Sequence, residues 1–216
     1  MIGWRVRGEM MQKPSSMKAL EELGRIRLSP NFYMRDFLYS EIANFHGIPN
    51  IPDDPDLAIK AGQRLCGDLL EPLNATFGRI AVRSAYRSCE VNGSGNKNRL
   101  NCASNEKNYA AHIWDRRDAE GCMGATACIV IPWFADPYEQ GADWRSLAWW
   151  IHDHLPYSSL VFYPKLAAFN IRWHERPERT IKGTFPPHQG YLTKPGMENQ
   201  KGMHAKWYAG FPARVM

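Results

Sequence analysis

The sequence has no apolar run approaching the roughly 20 residues that a membrane-spanning helix needs. Its opening, MIGWRVRGEMMQKPSSMK, lacks the apolar core and the small-residue cleavage site of a secretory signal, which predicts a protein made in the cytoplasm. No tandem C-x-x-C pair occurs, so a zinc ribbon is excluded. The five cysteines are an odd number, so at least one thiol is unpaired within the chain. No internal repeat is present. A basic folded surface is missing too: Arg176–Met216 carries seven Lys/Arg against two Glu, a surplus equal to the net charge of the whole chain, +5. Residues 1–175 are therefore neutral overall, which argues against a specific nucleic-acid-binding domain.

What is present is enough for one packed domain. The chain has 216 residues, 44% of them hydrophobic, and eight tryptophans. Residues 1–30 show little periodicity and read as an N-terminal arm with a short helix at Ser16–Leu23. A helix is predicted over Met34–Phe45. Another follows from Leu57, Ala61, Leu65, Leu69 and Leu73, which repeat at spacing four and close at Gly78. RIAVRSAYRS and GATACIVIPWF read as strands, GADWRSLAWWIHDHL as a helix that Asp143 caps, and SSLVFY and AAFNIRWHER as two further strands. Helices segregated from strands predict an α+β domain over residues 31–176, with a small, mainly antiparallel sheet packed against helices. Residues 177–216, rich in Pro, Gly and Lys, read as an extended basic C-terminal arm.

Three stretches carry a more specific signal. NFYMRDFLYSEIANFHGIPNIP has Asp36-Phe37 where a Glu-Phe pair is expected and a Gly-Ile-x-Asn-x-Pro ending. LLEPLNATFGRIAVRSAYRS has a Leu-Glu-Pro-Leu helix followed by a strand ending in Tyr-Arg-Ser, with Asn92 beyond it. AHIWDRRDAEGCMGATACIV and RWH carry the parts of a Ser-x-His-x-x-Gly-x-Ala-x-Asp and a Trp-x-His motif, with the insertion IWDRRDAEGCM between His112 and Gly124 and the Trp one residue closer to the last His. In this order, across about Asn31–Arg176, they resemble the zinc D,D- and L,D-peptidases of the D-Ala-D-Ala carboxypeptidase type. That family shares its fold with the hedgehog signalling domain, cleaves peptidoglycan peptides and recurs as bacteriophage cell-wall enzymes.

The resemblance implies a zinc ion held by His112, Cys128 and His174, with Cys128 at the place of the family's Asp. His, His and thiolate plus one open position suit zinc. Asp115 and Asp118, in the insertion after His112, are the alternative ligands, or else members of a charged surface loop. Arg87 takes the place of the arginine that clamps a substrate carboxylate or a developing oxyanion, with Ser84 beside it. The family's catalytic Glu lies three or six residues before the last His, and those positions hold Ile171 and Ala168. Glu175 follows His174 directly and on a strand points to the opposite face. Tyr163 and His154 stand at no matching position, and His152 and His154 diverge on a helix, as surface histidines at its C-terminus do.

Two functions follow. One is a zinc peptidase-like domain of a bacteriophage or prophage, acting on peptidoglycan peptide. The other is a non-catalytic virion or tail component on the same fold, with residues 1–30 and 177–216 reaching other virion proteins or further copies of the chain.

Overall fold

Ser16 opens the first helix of the computed structural model, which describes residues 10–215, by accepting the Ala19 amide on its hydroxyl. Helix α1 (Met17–Gly24) leads into a two-stranded ribbon of β1 (Arg27–Ser29) and β2 (Phe32–Tyr33). The expected helix over Met34–Phe45 divides instead. A 3-10 turn covers Met34–Phe37, and Ser40 then caps a separate α2 (Glu41–His46) by accepting the Ala43 amide. A capping serine in mid-segment competes with helix continuation, and the apolar spacing hid it. Asp54 caps α3 (Pro55–Leu65), which runs through a π-type turn at Cys66–Leu70 into α4 (Glu71–Phe77). Gly78, at φ +80°, ends the run as expected.

The sheet begins with β3 (Ala81–Ser84); α5 (Cys89–Lys97) and α6 (Asn105–Asn108) follow before the chain returns in β4 (Gly124–Val130). After α7 (Pro132–Glu139) and α8 (Trp144–His154) come β5 (Ser159–Phe162), β6 (Phe169–His174), β7 (Thr180–Gly183) and β8 (Gly190–Thr193). The six strands lie in the order β3-β4-β6-β5-β7-β8, and every neighbouring pair is antiparallel except β5 and β7. The α+β architecture with a mainly antiparallel sheet is thus as predicted.

Side-chain alternation divides the sheet into two faces. Ala125, Ala127 and Ile129 of β4 lie beside Trp173, Ile171 and Phe169 of β6, and this face joins Leu65, Leu69, Leu147 and Trp150 in the core. The opposite face carries Gly124, Thr126 and Cys128 beside His174, Arg172 and Asn170. The segment between β3 and β4 crosses near one end of it, where the Ala110 carbonyl accepts the Arg172 Nε–H at 3.1 Å.

The boundaries expected at residues 30 and 176 both fall inside the folded domain. Leu23 and Leu28 are core residues, and only the first nine residues of the expected N-terminal arm lie outside the described part. β7 and β8 extend the sheet beyond residue 176. Farther on, Phe211 meets the rings of Phe77, Trp133 and Phe134 at 5.9, 5.1 and 5.8 Å. A short hairpin with a Pro-rich turn and a tail anchored by a few scattered side chains leave no periodic trace, so this stretch reads as an arm in sequence. No helix among the described residues is long and apolar enough to cross a membrane.

Gly124 shows how tightly the crossing segment meets the sheet. A Cβ there would overlap the Ala110 carbonyl oxygen and stand 2.8 Å from His174 Cδ2. Backbone cannot yield as a flexible side chain does, so Gly124→Ala should destabilise the fold by about 1–3 kcal/mol or more. Urea denaturation of the variant checks this, and an unchanged midpoint would show that the segment is free to lift.

Candidate functional site

Strand register brings Ser84, Cys128 and Asn170 into one row across β3, β4 and β6, on the face away from the core. Above this row is a cavity of about 400 Å³ lined by Arg83, Ser84, Arg87, His112, Cys128 and Asn170, with Glu41 and Tyr163 also in its wall. Its walls are tied together by backbone and amide hydrogen bonds. Arg87 donates its N–H to the His112 carbonyl at 2.8 Å, and the imidazole Nδ1–H of His112 donates to the Ala85 carbonyl at 2.8 Å. Asn50 donates to the Leu38 and Tyr86 carbonyls and accepts the Ser88 amide. Asn92, fully buried, donates to Ala103 and Asn105 and accepts from Asn108, which holds α5 against α6.

The bond to Ala85 puts the ring proton on Nδ1, so the lone pair is on Nε2, 3.4 Å from the Asn170 amide nitrogen. Burial, then the Arg87 and Arg172 guanidiniums, push the His112 pKa down to about 3, so the ring is neutral at ordinary pH. Burial raises the Cys128 thiol and the Tyr163 phenol, although Arg83 and Arg87 oppose this at the thiol. Neither Arg83 nor Arg87 has a carboxylate within ion-pair distance among the described residues. Arg87 Nη1 donates instead to Cys102 Sγ at 3.3 Å. The cavity is therefore a polar recess with two unpaired cations and a neutral acceptor nitrogen.

Of the residues expected at a zinc site, His112 and Cys128 reach this cavity together with Arg87 and Ser84, but His174 does not. It pairs across the sheet with Gly124, four positions along β4 from Cys128, and its Nε2 binds the Asp118 carboxylate at 2.9 Å. The residue opposite Cys128 is Asn170. Asp118 closes its own turn by accepting the Glu120 and Cys122 amides. Asp115 is not surface-exposed: it is 2% exposed, accepts the Asp53 amide at 2.7 Å and does not line the cavity. Two zinc-type donors meet here, the His112 imidazole and the Cys128 thiol; an amide stands opposite Cys128, and among the described residues no third His, Cys or carboxylate lies close enough to share an ion with them. Ile171 and Ala168 are fully buried in apolar surroundings, and the Glu175 carboxylate accepts the Met123 amide away from the cavity.

A second cluster does have metal-compatible spacing. Donor atoms of His152, Asp153 and His204 lie within 4.8 Å of one another, so the three could hold a metal ion. All three are already hydrogen-bonded. Asp153 accepts the His204 amide at 2.6 Å, His204 Nδ1–H at 2.8 Å and the Tyr208 hydroxyl at 2.7 Å. His204 Nε2 faces the Asn199 carbonyl at 3.0 Å, and the ring stacks on Trp149 with centroids 3.8 Å apart. His152 lies between the Tyr157 hydroxyl and the Gln200 carbonyl. The cluster latches the C-terminal segment to α8, and these bonds hold the Asp153 carboxyl below the usual range despite its burial. His152 is thus buried, contrary to the surface position expected of it, because a segment some fifty residues later, with Gln200 and His204, covers it.

Comparison with protein-family models, with curated proteins and with solved structures gives no match. Sequence reasoning missed Asn170, Arg83 and Glu41 in the cavity wall. Strand alternation from Cys128 to its antiparallel neighbour would have found Asn170 had the register been known; Glu41 carries no local signal.

Two measurements bear on these clusters. His112 is depressed in the folded state to about 3 and titrates near 6.5 when unfolded, so below 6.5 only the unfolded chain takes up its proton. Its contribution to stability is complete above about pH 6.5 and falls by about 1.4 kcal/mol per pH unit down to about 3. His112→Gln should remove that slope: between pH 7.5 and 5.0 the stability gap to wild type should move by about 2 kcal/mol in the variant's favour. Asp153→Asn leaves partners of a buried carboxylate uncompensated and should cost about 3–5 kcal/mol, with faster proteolysis within residues 194–215. Denaturation and limited proteolysis read the two effects.

Proposed function

We propose that this chain binds the free carboxylate of a peptide in the Arg83–Arg87 cavity and does not hydrolyse the peptide. The observation behind this reading is the pair of guanidiniums that line a concave polar recess without a carboxylate partner. A guanidinium there can offer two parallel N–H donors to a carboxylate, a stronger and more directional contact than a neutral hydrogen bond. Ser84 and the Asn170 amide supply neutral donors, and His112 Nε2 a fixed acceptor, for the adjoining peptide group.

Hydrolysis is less well supported. The positions that match the family's general base are apolar and buried, and the one carboxylate among the lining residues, Glu41, is exposed at the wall. A missing general base alone removes about 10²–10⁴ in rate. A zinc ion taken up by the chain suits the spacing of His152, Asp153 and His204 better than the cavity, and there its part would be structural. The resemblance to peptidoglycan peptidases makes a cell-wall stem peptide the first ligand to try and bacteriophage or prophage origin the context. A virion or tail component that holds such a peptide without cleaving it fits the same site. Its C-terminal arm counts for less in that reading, since Thr180–Thr193 belong to the sheet.

Calorimetric titration with N-acetyl-Lys-D-Ala-D-Ala, as free acid and as C-terminal amide, tests the reading. The acid should bind, and the amide or the Arg87→Ala variant should bind about tenfold or more weaker, as a charge-assisted hydrogen bond requires. No D-alanine should be released, with or without added zinc. Turnover, or equal binding of acid and amide, would overturn it.

A further inference from the structure

An apolar recess of about 450 Å³ adjoins the polar cavity and shares Glu41 and Leu100 with it. Its other walls include Ile42, Phe45 and His46 of α2. Phe45 is 86% exposed and Leu100 43% exposed. The Phe45 ring has one ring neighbour among the described residues, the edge of His46 at 5.0 Å. An exposed phenylalanine that contributes nothing to the core, in a recess beside two unpaired cations, marks a surface built for contact rather than for folding.

The wall between the two recesses is held in place at a conformational cost. Leu100 stands between Arg99 and Asn101, both left-handed at φ +57° and +56°. Such backbone persists only where its surroundings hold it. Here the Leu100 amide donates to the Gly95 carbonyl at 2.8 Å, and Asn96 donates to the Cys102 carbonyl at 2.7 Å. Cys102 packs so closely that a Cβ on Gly95 would come within 2.5 Å of its sulfur and 2.8 Å of Ile42 Cδ1. The same sulfur accepts from Arg87. One turn therefore presents Leu100 to the apolar recess and steadies a guanidinium in the polar one.

From this arrangement we infer that the ligand is a peptide whose C-terminal residue carries a large apolar side chain. The inference rests on the carboxylate-binding reading above and adds what stands next to the carboxylate. Arg83 and Arg87 take the carboxylate, the Phe45–Leu100 recess takes the side chain, and Glu41, in the wall common to both, faces the N–H donors of the peptide. Small alanine side chains would leave the apolar recess unfilled, so this ligand differs from an alanine-terminated stem peptide.

Two peptides that differ only in the last residue, N-acetyl-Ala-Ala and N-acetyl-Ala-Phe as free acids, separate the two readings in the full-length protein. The Phe peptide should bind about tenfold tighter, as burial of an aromatic side chain provides. Phe45→Ser, a change at an exposed position, should abolish that advantage. Arg87→Ala should weaken both peptides alike. Equal binding of the two peptides, or a Phe preference that survives in Phe45→Ser, overturns the apolar assignment and leaves the carboxylate reading standing. If neither peptide binds, both fail.

Discussion

The polar face of the sheet depends on one close approach, that of the Ala110 carbonyl to Gly124. Because position 124 has no side chain, the segment between β3 and β4 can lie directly against the sheet, where Arg172 ties the same carbonyl from the neighbouring strand. That contact sets how high the segment sits. Two residues later, His112 is at the level where its ring reaches Ala85 and its carbonyl reaches the Arg87 amide. The cavity walls therefore follow from a missing Cβ as much as from the polar groups that line them. Interiors are close-packed, so a displacement at such a contact carries along the rigid segment rather than fading over a few bonds.

Within those walls the charges are arranged against the interests of the free protein. Arg87 is half-buried beside a thiol and a neutral imidazole, and no carboxylate among the described residues pairs with it. Burial and like charge keep His112 neutral, so the recess holds positive charge beside a fixed acceptor. Groups oriented in advance need little rearrangement to meet an anion, and this is how binding sites favour one charge over another. Two of the left-handed residues, Arg99 and Asn101, flank Leu100 in the wall of the same recess.

How much of this was legible in the sequence differs by element. The helix over residues 55–77 is visible in its four-residue leucine spacing and its closing glycine, and α8 in its aspartate cap. β4 and β6 show in their β-branched and small residues. Ser84, Arg87, His112 and Cys128 were legible as a group, and one recess contains all four. His174 was not, because motif spacing counts residues along one strand while a site depends on register between strands, and a shift of four residues moves a side chain by about 13 Å. Asp153 and His204 were invisible as a pair for a similar reason: 51 residues separate them and no periodicity links them. β7 and β8 are short strands at a sheet margin, where pairing rather than composition decides the structure.

The Asp153 latch has a consequence for how the chain is made. α8 leaves the ribosome with a carboxylate whose amide, imidazole and phenol partners have yet to be synthesised. At about 5–20 residues per second, the 51 residues to His204 take about 3–10 s. During that interval Asp153 stays solvated, Trp149 lacks its stacking partner, and the apolar sheet face can collapse onto the earlier helices. The C-terminal segment thus seals this side of α8 last, and a chain stalled before His204 would leave the Asp153 carboxylate and the Trp149 face unsatisfied.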